Sequence, residues 1–156
     1  MSRIERSIDV HVPVSTAYNQ WTRFEEFPKF MEGVESVTQR DDRRLHWVVN
    51  LGGQRREWDA EITEQRPDER IAWTTTTGTG GAGVVTFHHL SDTDTRIMVQ
   101  LVVFSQGLVE QAGDALGSID RGVKGDLQRF KEFIESRGLE TGAWRGEIAP
   151  EHRRAG

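Results

Sequence analysis

Cysteine is absent from the 156 residues, so the chain can build no disulfide, no thiolate metal site and no cysteine nucleophile. No apolar run follows Met1, and none approaches the roughly 20 residues that span a bilayer. A cytoplasmic protein without stable membrane insertion is therefore expected. A basic face is missing too: 20 Lys and Arg stand against 25 Asp and Glu, the net charge is -5, and the signs are mixed along the chain, which argues against a nucleic-acid partner. Metal-binding patterns are lacking, because the five histidines are scattered and form neither H-x-x-x-H nor H-E-x-x-H. His88 and His89 are adjacent on a strand pattern and point to opposite faces. No serine sits in a G-x-S-x-G setting. The glycine-rich segment TTTTGTGGAG (Thr74 to Gly83) has no GK[ST] ending and joins two strand patterns, so it is no phosphate loop. Neither a metal nor any other cofactor is expected.

What remains is a pattern of strands followed by one long helix. Ile4, Ile8, Val10 and Val12 share one parity of the first segment, as in a half-buried strand. Ser15 is placed to cap a short helix from Thr16 to Thr22. Two helical turns are expected around Pro28, carrying Phe24, Phe27, Phe30 and Met31. A meander of six strands follows, over Val34–Gln39, Leu45–Leu51, a return strand through Trp58, Arg70–Thr77, Val84–Leu90 and Arg96–Phe104. Gly52-Gly53 marks a hairpin between the second and third of these.

Gly117 to Arg137 carries Ile119, Val123, Leu127, Phe130 and Ile134 at steps of three and four, continuing from Leu116, which predicts an amphipathic helix. Gly113 and Gly117 each weaken a helix by about 1 kcal/mol relative to Ala, so a break near Gly117 is expected after a helical Gln106–Leu116. Ligand passage is expected beside that end. At this length one domain is expected, residues 1–138, with a tail at 139–156 held by Trp144. A sheet and a helix that are each apolar on one face must bury those faces against each other.

The segments WTRFEEFPKFMEGVESV, LHWVV, REWDAEITEQRPDERIAW and GVVTFHHL, with the last helix and ETGAWRGE behind it, resemble the START-like (SRPBCC) superfamily. Within it they are similar to the polyketide cyclase/dehydrase branch, with coenzyme Q-binding proteins as further relatives. The resemblance spans Ile4 to about Glu147. It implies an α+β helix-grip fold of the START/Bet v 1-like kind: a seven-stranded antiparallel curved sheet around a long C-terminal helix, with two short helices after the first strand. It also implies a cavity between sheet and helix for a hydrophobic small molecule such as a polyketide, lipid or quinone. The chain is expected to act as a monomer or weak homodimer.

The side chains expected to line that cavity are Phe30, Met31, Trp47, Trp58, Trp73, Phe87, Leu101, Leu116, Ile119 and Val123. Three tryptophans on successive strands pack poorly without small partners or a ligand, and each indole N–H seeks an acceptor. The alternative to a binding protein is a polyketide aromatase/cyclase, which needs groups that polarise a carbonyl and move a proton. Arg56, which shares parity with Trp58, and His89 are the candidates. The plainer reading of Arg56 is an exposed residue paired with an acid near the Gly-Gly turn, and that of His89 is a solvent-facing strand end.

Overall fold

The computed structural model describes residues 2–51, 53–76, 81–103, 115–137 and 148; the side chains of 2, 51, 54, 103, 115–119 and 137 lie outside that description. The chain forms β1 (Ser2–Val10), α1 (Val14–Trp21), a 3-10 helix (Phe24–Lys29), β2 (Val34–Gln39), β3 (Arg44–Leu51), β4 (Gln54–Arg66), β5 (Arg70–Thr75), β6 (Gly81–Ser91), β7 (Asp94–Val103) and α2 (Ala115–Arg137). The sheet has seven strands in the order β1-β7-β6-β5-β4-β3-β2, every pair antiparallel. From β2 onward each strand pairs with the next, and β1 closes the far edge against β7. With α2 held against this curled sheet, the architecture is the α+β helix-grip arrangement expected from the sequence.

Turn chemistry fits the register. Gly53 has φ of +89°, the left-handed region open to glycine, and its N–H donates to Asn50 Oδ1 at 2.9 Å. Asp68, after Pro67, takes φ of 64° between β4 and β5, a conformation that aspartate tolerates better than most residues.

Two local expectations are corrected. Helix α1 starts at Val14 with the extended Pro13 at its cap position, so Ser15 lies inside the first turn and no side chain caps the end. The residues around Pro28 form one 3-10 helix instead of two turns, closed by Phe30 N–H on the Phe27 carbonyl at 3.1 Å. Helix α2 is already formed at Ala115, so Gly117 lies in its first turn, and the expected break from a preceding helix falls among residues outside the description. The expected helix before it, like Trp144, lies outside the described residues.

The C-terminal half of α2 closes the core. Leu127, Phe130 and Ile134 are buried, and the Phe130 ring meets Trp21 at 4.9 Å and Phe30 at 5.0 Å between centroids. Each such burial is worth about 1.5–3 kcal/mol. Polar contacts fix the helix lengthwise. Arg6 of β1 bonds Asp120 through both arms, at 2.8 and 2.6 Å, while Lys131 donates to the Asp9 carbonyl at 2.9 Å.

A bulge in β4 shifts the register between Ile62 and Glu64 and so turns Gln65 to the inner face, where it is 1% exposed. Beyond the last β3 partner, Arg44 opposite Glu61, the free edge of β4 pairs with Ile148. Gln65 N–H donates to the Ile148 carbonyl at 2.8 Å, and Ile148 N–H donates to the Gln65 carbonyl at 2.9 Å. Ile148 is itself buried in the core. Among the described residues no helix is long and apolar enough to cross a membrane.

Candidate functional site

Strand register aligns the inward side chains in rows. Trp47 stands directly opposite Trp58, with Val37 on the other side of Trp47. A second row runs Ile4, Leu101, Gly83, Trp73, Ile62 across five strands. Between these rows, the 3-10 helix and α2 lies a cavity of about 250 Å³. Trp47, Trp58, Trp73, Leu101, Met31 and Val123, all expected at the cavity, line it. Its wall is apolar almost throughout, as small-molecule sites tend to be.

Few polar groups reach it. The Thr75 hydroxyl is already used, donating to the Gly81 carbonyl at 3.0 Å. Trp47 Nε1 is buried with no acceptor among the described residues, an arrangement that typically costs about 1–3 kcal/mol. Asp126 is the one ionisable side chain in the described lining. It follows Val123 by three residues and precedes Phe130 by four, so the helical phase sets it on the flank of the apolar stripe. Its Oδ1 accepts from the Glu32 backbone N–H at 3.2 Å and from Arg129 Nη2 at 2.5 Å. Arg129 Nε in turn donates to the Phe30 carbonyl at 2.9 Å. Burial pushes the Asp126 carboxyl above the usual carboxylate range, outweighing the opposing pull of Arg129 and the Glu32 amide.

The remaining expected site residues fall elsewhere. Phe30 and Phe87 belong to the packed core: Phe30 touches Phe27 and Phe130, and Phe87 meets Tyr18 edge-on at 5.4 Å. Parity correctly turned Phe87 inward but says nothing of depth, and at its depth α1 fills the space. His89 shares the inward parity yet is exposed, because β6 outruns the cover there; its Nε2 sits 3.5 Å from the Asp92 carboxylate. His88 is exposed as well, beside the Thr86 hydroxyl. Arg56 pairs with Val49 on the inward row and is half-buried, but it does not line the cavity. The side chains of Leu116 and Ile119 lie outside the described residues. The sequence reading overlooked Asp126, although its helical phase marked it, and it overlooked Trp21, Phe24 and Phe27, which also line the cavity. Among the described residues no three His, Asp or Glu side chains converge to hold a metal ion.

Residues 10–132 match the family model described as polyketide cyclase / dehydrase and lipid transport. A curated relative, an uncharacterized 17.2 kDa protein of the melC2-rnhH intergenic region of Streptomyces lincolnensis, is 57% identical over 149 residues, covering 95% of this chain and 99% of its own. Among solved structures, the Zhui aromatase/cyclase from Streptomyces sp. R1128 superposes with a TM-score of 0.73 at 16% identity, over 92% of this chain and 99% of that one. A START superfamily protein from Mycobacterium smegmatis superposes with a TM-score of 0.63 at 15% identity, over 81% and 97%. At these identities the two structures establish the shared fold.

Proposed function

Since the chain belongs to the polyketide cyclase/dehydrase and lipid transport family, we propose that it binds a hydrophobic, aromatic or polycyclic small molecule between the sheet and α2. Polyketides, lipids and quinone-like molecules are the candidate classes. The supporting observation is the cavity of about 250 Å³ walled by Trp47, Trp58 and Trp73, with scarcely any polar surface. Such a space gains by exchanging water for flat apolar surface. In this reading the protein works in the cytoplasm as a monomer or weak homodimer.

The three indoles in the wall make the test direct. Titration with quinones, flavonoid-like aromatics and lipids is expected to quench or shift tryptophan fluorescence for at least one class, saturably. Silence across all three would sink the proposal.

A second reading, an aromatase/cyclase, draws on Asp126, since a carboxyl with a raised pKa in an apolar wall suits proton transfer. Arg56 and His89, the groups first considered for that role, do not line the cavity. On a poly-β-ketone substrate this reading expects Asp126→Asn to lose most of the cyclised product. Unchanged product distribution with and without the protein would rule it out.

A further inference from the structure

We infer that the cavity selects an uncharged, hydroxyl-bearing aromatic nucleus of about two fused rings, with Asp126 reading the hydroxyl and turning carboxylates away. This rests on the binding reading above and sharpens it to a ligand class. Size comes first. An engineered cavity of about 150 Å³ accommodates benzene. Scaled by volume, about 250 Å³ takes roughly ten non-hydrogen atoms, a naphthalene-sized nucleus. Indoles from three neighbouring strands line the space, and aromatic walls suit a flat aromatic ligand.

Charge selection follows from where the polar atoms are spent. Both hydrogen bonds to Asp126 converge on Oδ1, one from the Glu32 amide and one from Arg129. Oδ2 is left without a partner among the described residues. An ionised carboxylate oxygen only accepts, so the complementary ligand group is a donor, and a hydroxyl supplies one without bringing charge into an apolar space. A ligand carboxylate would set two like charges together where water is scarce. Arg129 gives no relief. Its Nε is held by the Phe30 carbonyl and its Nη2 by Asp126, and the side chain is not part of the cavity wall. An ammonium group would have to give up its own hydration on entering so apolar a space.

The experiment uses titration calorimetry on the whole chain at pH 7.5 with 2-naphthol, naphthalene, 2-naphthoate and 2-naphthylmethylammonium. Naphthol is expected to bind at least about tenfold tighter than naphthalene, the scale of one charge-assisted hydrogen bond, and naphthoate weakest of the four. Asp126→Asn, checked for folding by circular dichroism, is expected to erase most of the naphthol advantage over naphthalene and to strengthen naphthoate several-fold relative to naphthalene. Naphthalene binding as tightly as naphthol would overturn the hydroxyl assignment while the binding reading stands. So would naphthoate or the ammonium compound binding tightest. Failure of all four ligands to bind, while a quinone, flavonoid-like aromatic or lipid still alters the tryptophan fluorescence, would overturn this inference alone; silence from those classes as well would overturn the binding reading with it.

Discussion

The indole of Trp73 reaches over Gly83, its cross-strand partner, and occupies the space that a side chain at position 83 would need. A Cβ there would stand 2.8 Å from Trp73 Cε2 and from Leu101 Cδ2, and nearer still to Trp73 Cζ2. Gly83 is thus the small partner that lets one of the three cavity tryptophans lean along the wall. Gly83→Ala is expected to push the indole into the cavity. Overpacking of this kind costs about 1–3 kcal/mol. Loss of stability in urea and a shifted tryptophan emission should come together, with weaker ligand binding. An alanine variant that keeps the original emission and midpoint would show that Trp73 moves freely.

On the outer face of the sheet, His46 sits between two carboxylates, its Nδ1 2.7 Å from Asp59 and its Nε2 3.0 Å from Glu57. Asp59 first and Glu57 second raise the imidazole pKa above its ordinary value. A raised folded-state pKa means that this contribution is complete below the unfolded histidine value of about 6.5 and fades as pH rises through the folded one. The difference in melting temperature between the unaltered protein and His46→Gln is therefore expected to be larger at pH 6 than at pH 9. Equal differences at both, or an imidazole NMR titration at or below the ordinary value, would refute the pairing.

Arg6 occupies an inward position of β1 that Ile4, Ile8 and Val10 otherwise keep apolar, and it spends its guanidinium on Asp120 of α2. The Arg6 hydrogen bond holds the Asp120 carboxyl below the usual range, so this support is present above the ordinary carboxylate pKa and is lost as pH falls through the lowered one. Both side chains are about one-third exposed, at 37% and 34%, which keeps the gain modest and salt-sensitive. Arg6→Met, which retains the aliphatic stem, is expected to lower the melting temperature slightly in low salt and hardly at all in 1 M salt. Amide exchange should quicken in the first half of α2. A salt-independent loss would point to packing instead of charge.

Regular alternation made the inward faces of β3, β4 and β5 legible, and Trp47, Trp58 and Trp73 stand where parity put them because no bulge intervenes before Ile62. After Ile62 the extra residue reverses the parity, and nothing in the local composition announces that Gln65 turns inward. Depth was equally hidden. Phe87 and Trp73 share an inward face, but only the packing of α1 makes one core and the other cavity wall. Asp126 was legible in principle, since helical phase alone sets it beside Val123 and Phe130. It went unseen because a carboxylate on an apolar stripe reads as a solvated edge until the loop at Glu32 closes over it.

The same bulge gives Ile148 its importance. The sequence places Ile148 in a tail behind the domain, yet it is 4% exposed and packs within the core. It also satisfies both backbone groups of Gln65 on the stretch of β4 that β3 leaves uncovered. A bare sheet edge at that point would expose paired-strand groups to water and to other chains. Ile148→Ala keeps the backbone bonds but removes the buried side chain, and truncation of a core isoleucine to alanine costs about 2–5 kcal/mol. A loss in that range is expected in urea unfolding. Ending the chain at residue 138 is expected to cost more, because the two hydrogen bonds go as well, and to speed amide exchange at Gln65. If Ile148→Ala unfolds at the original urea midpoint, the segment is an appendage and the folding unit ends with α2.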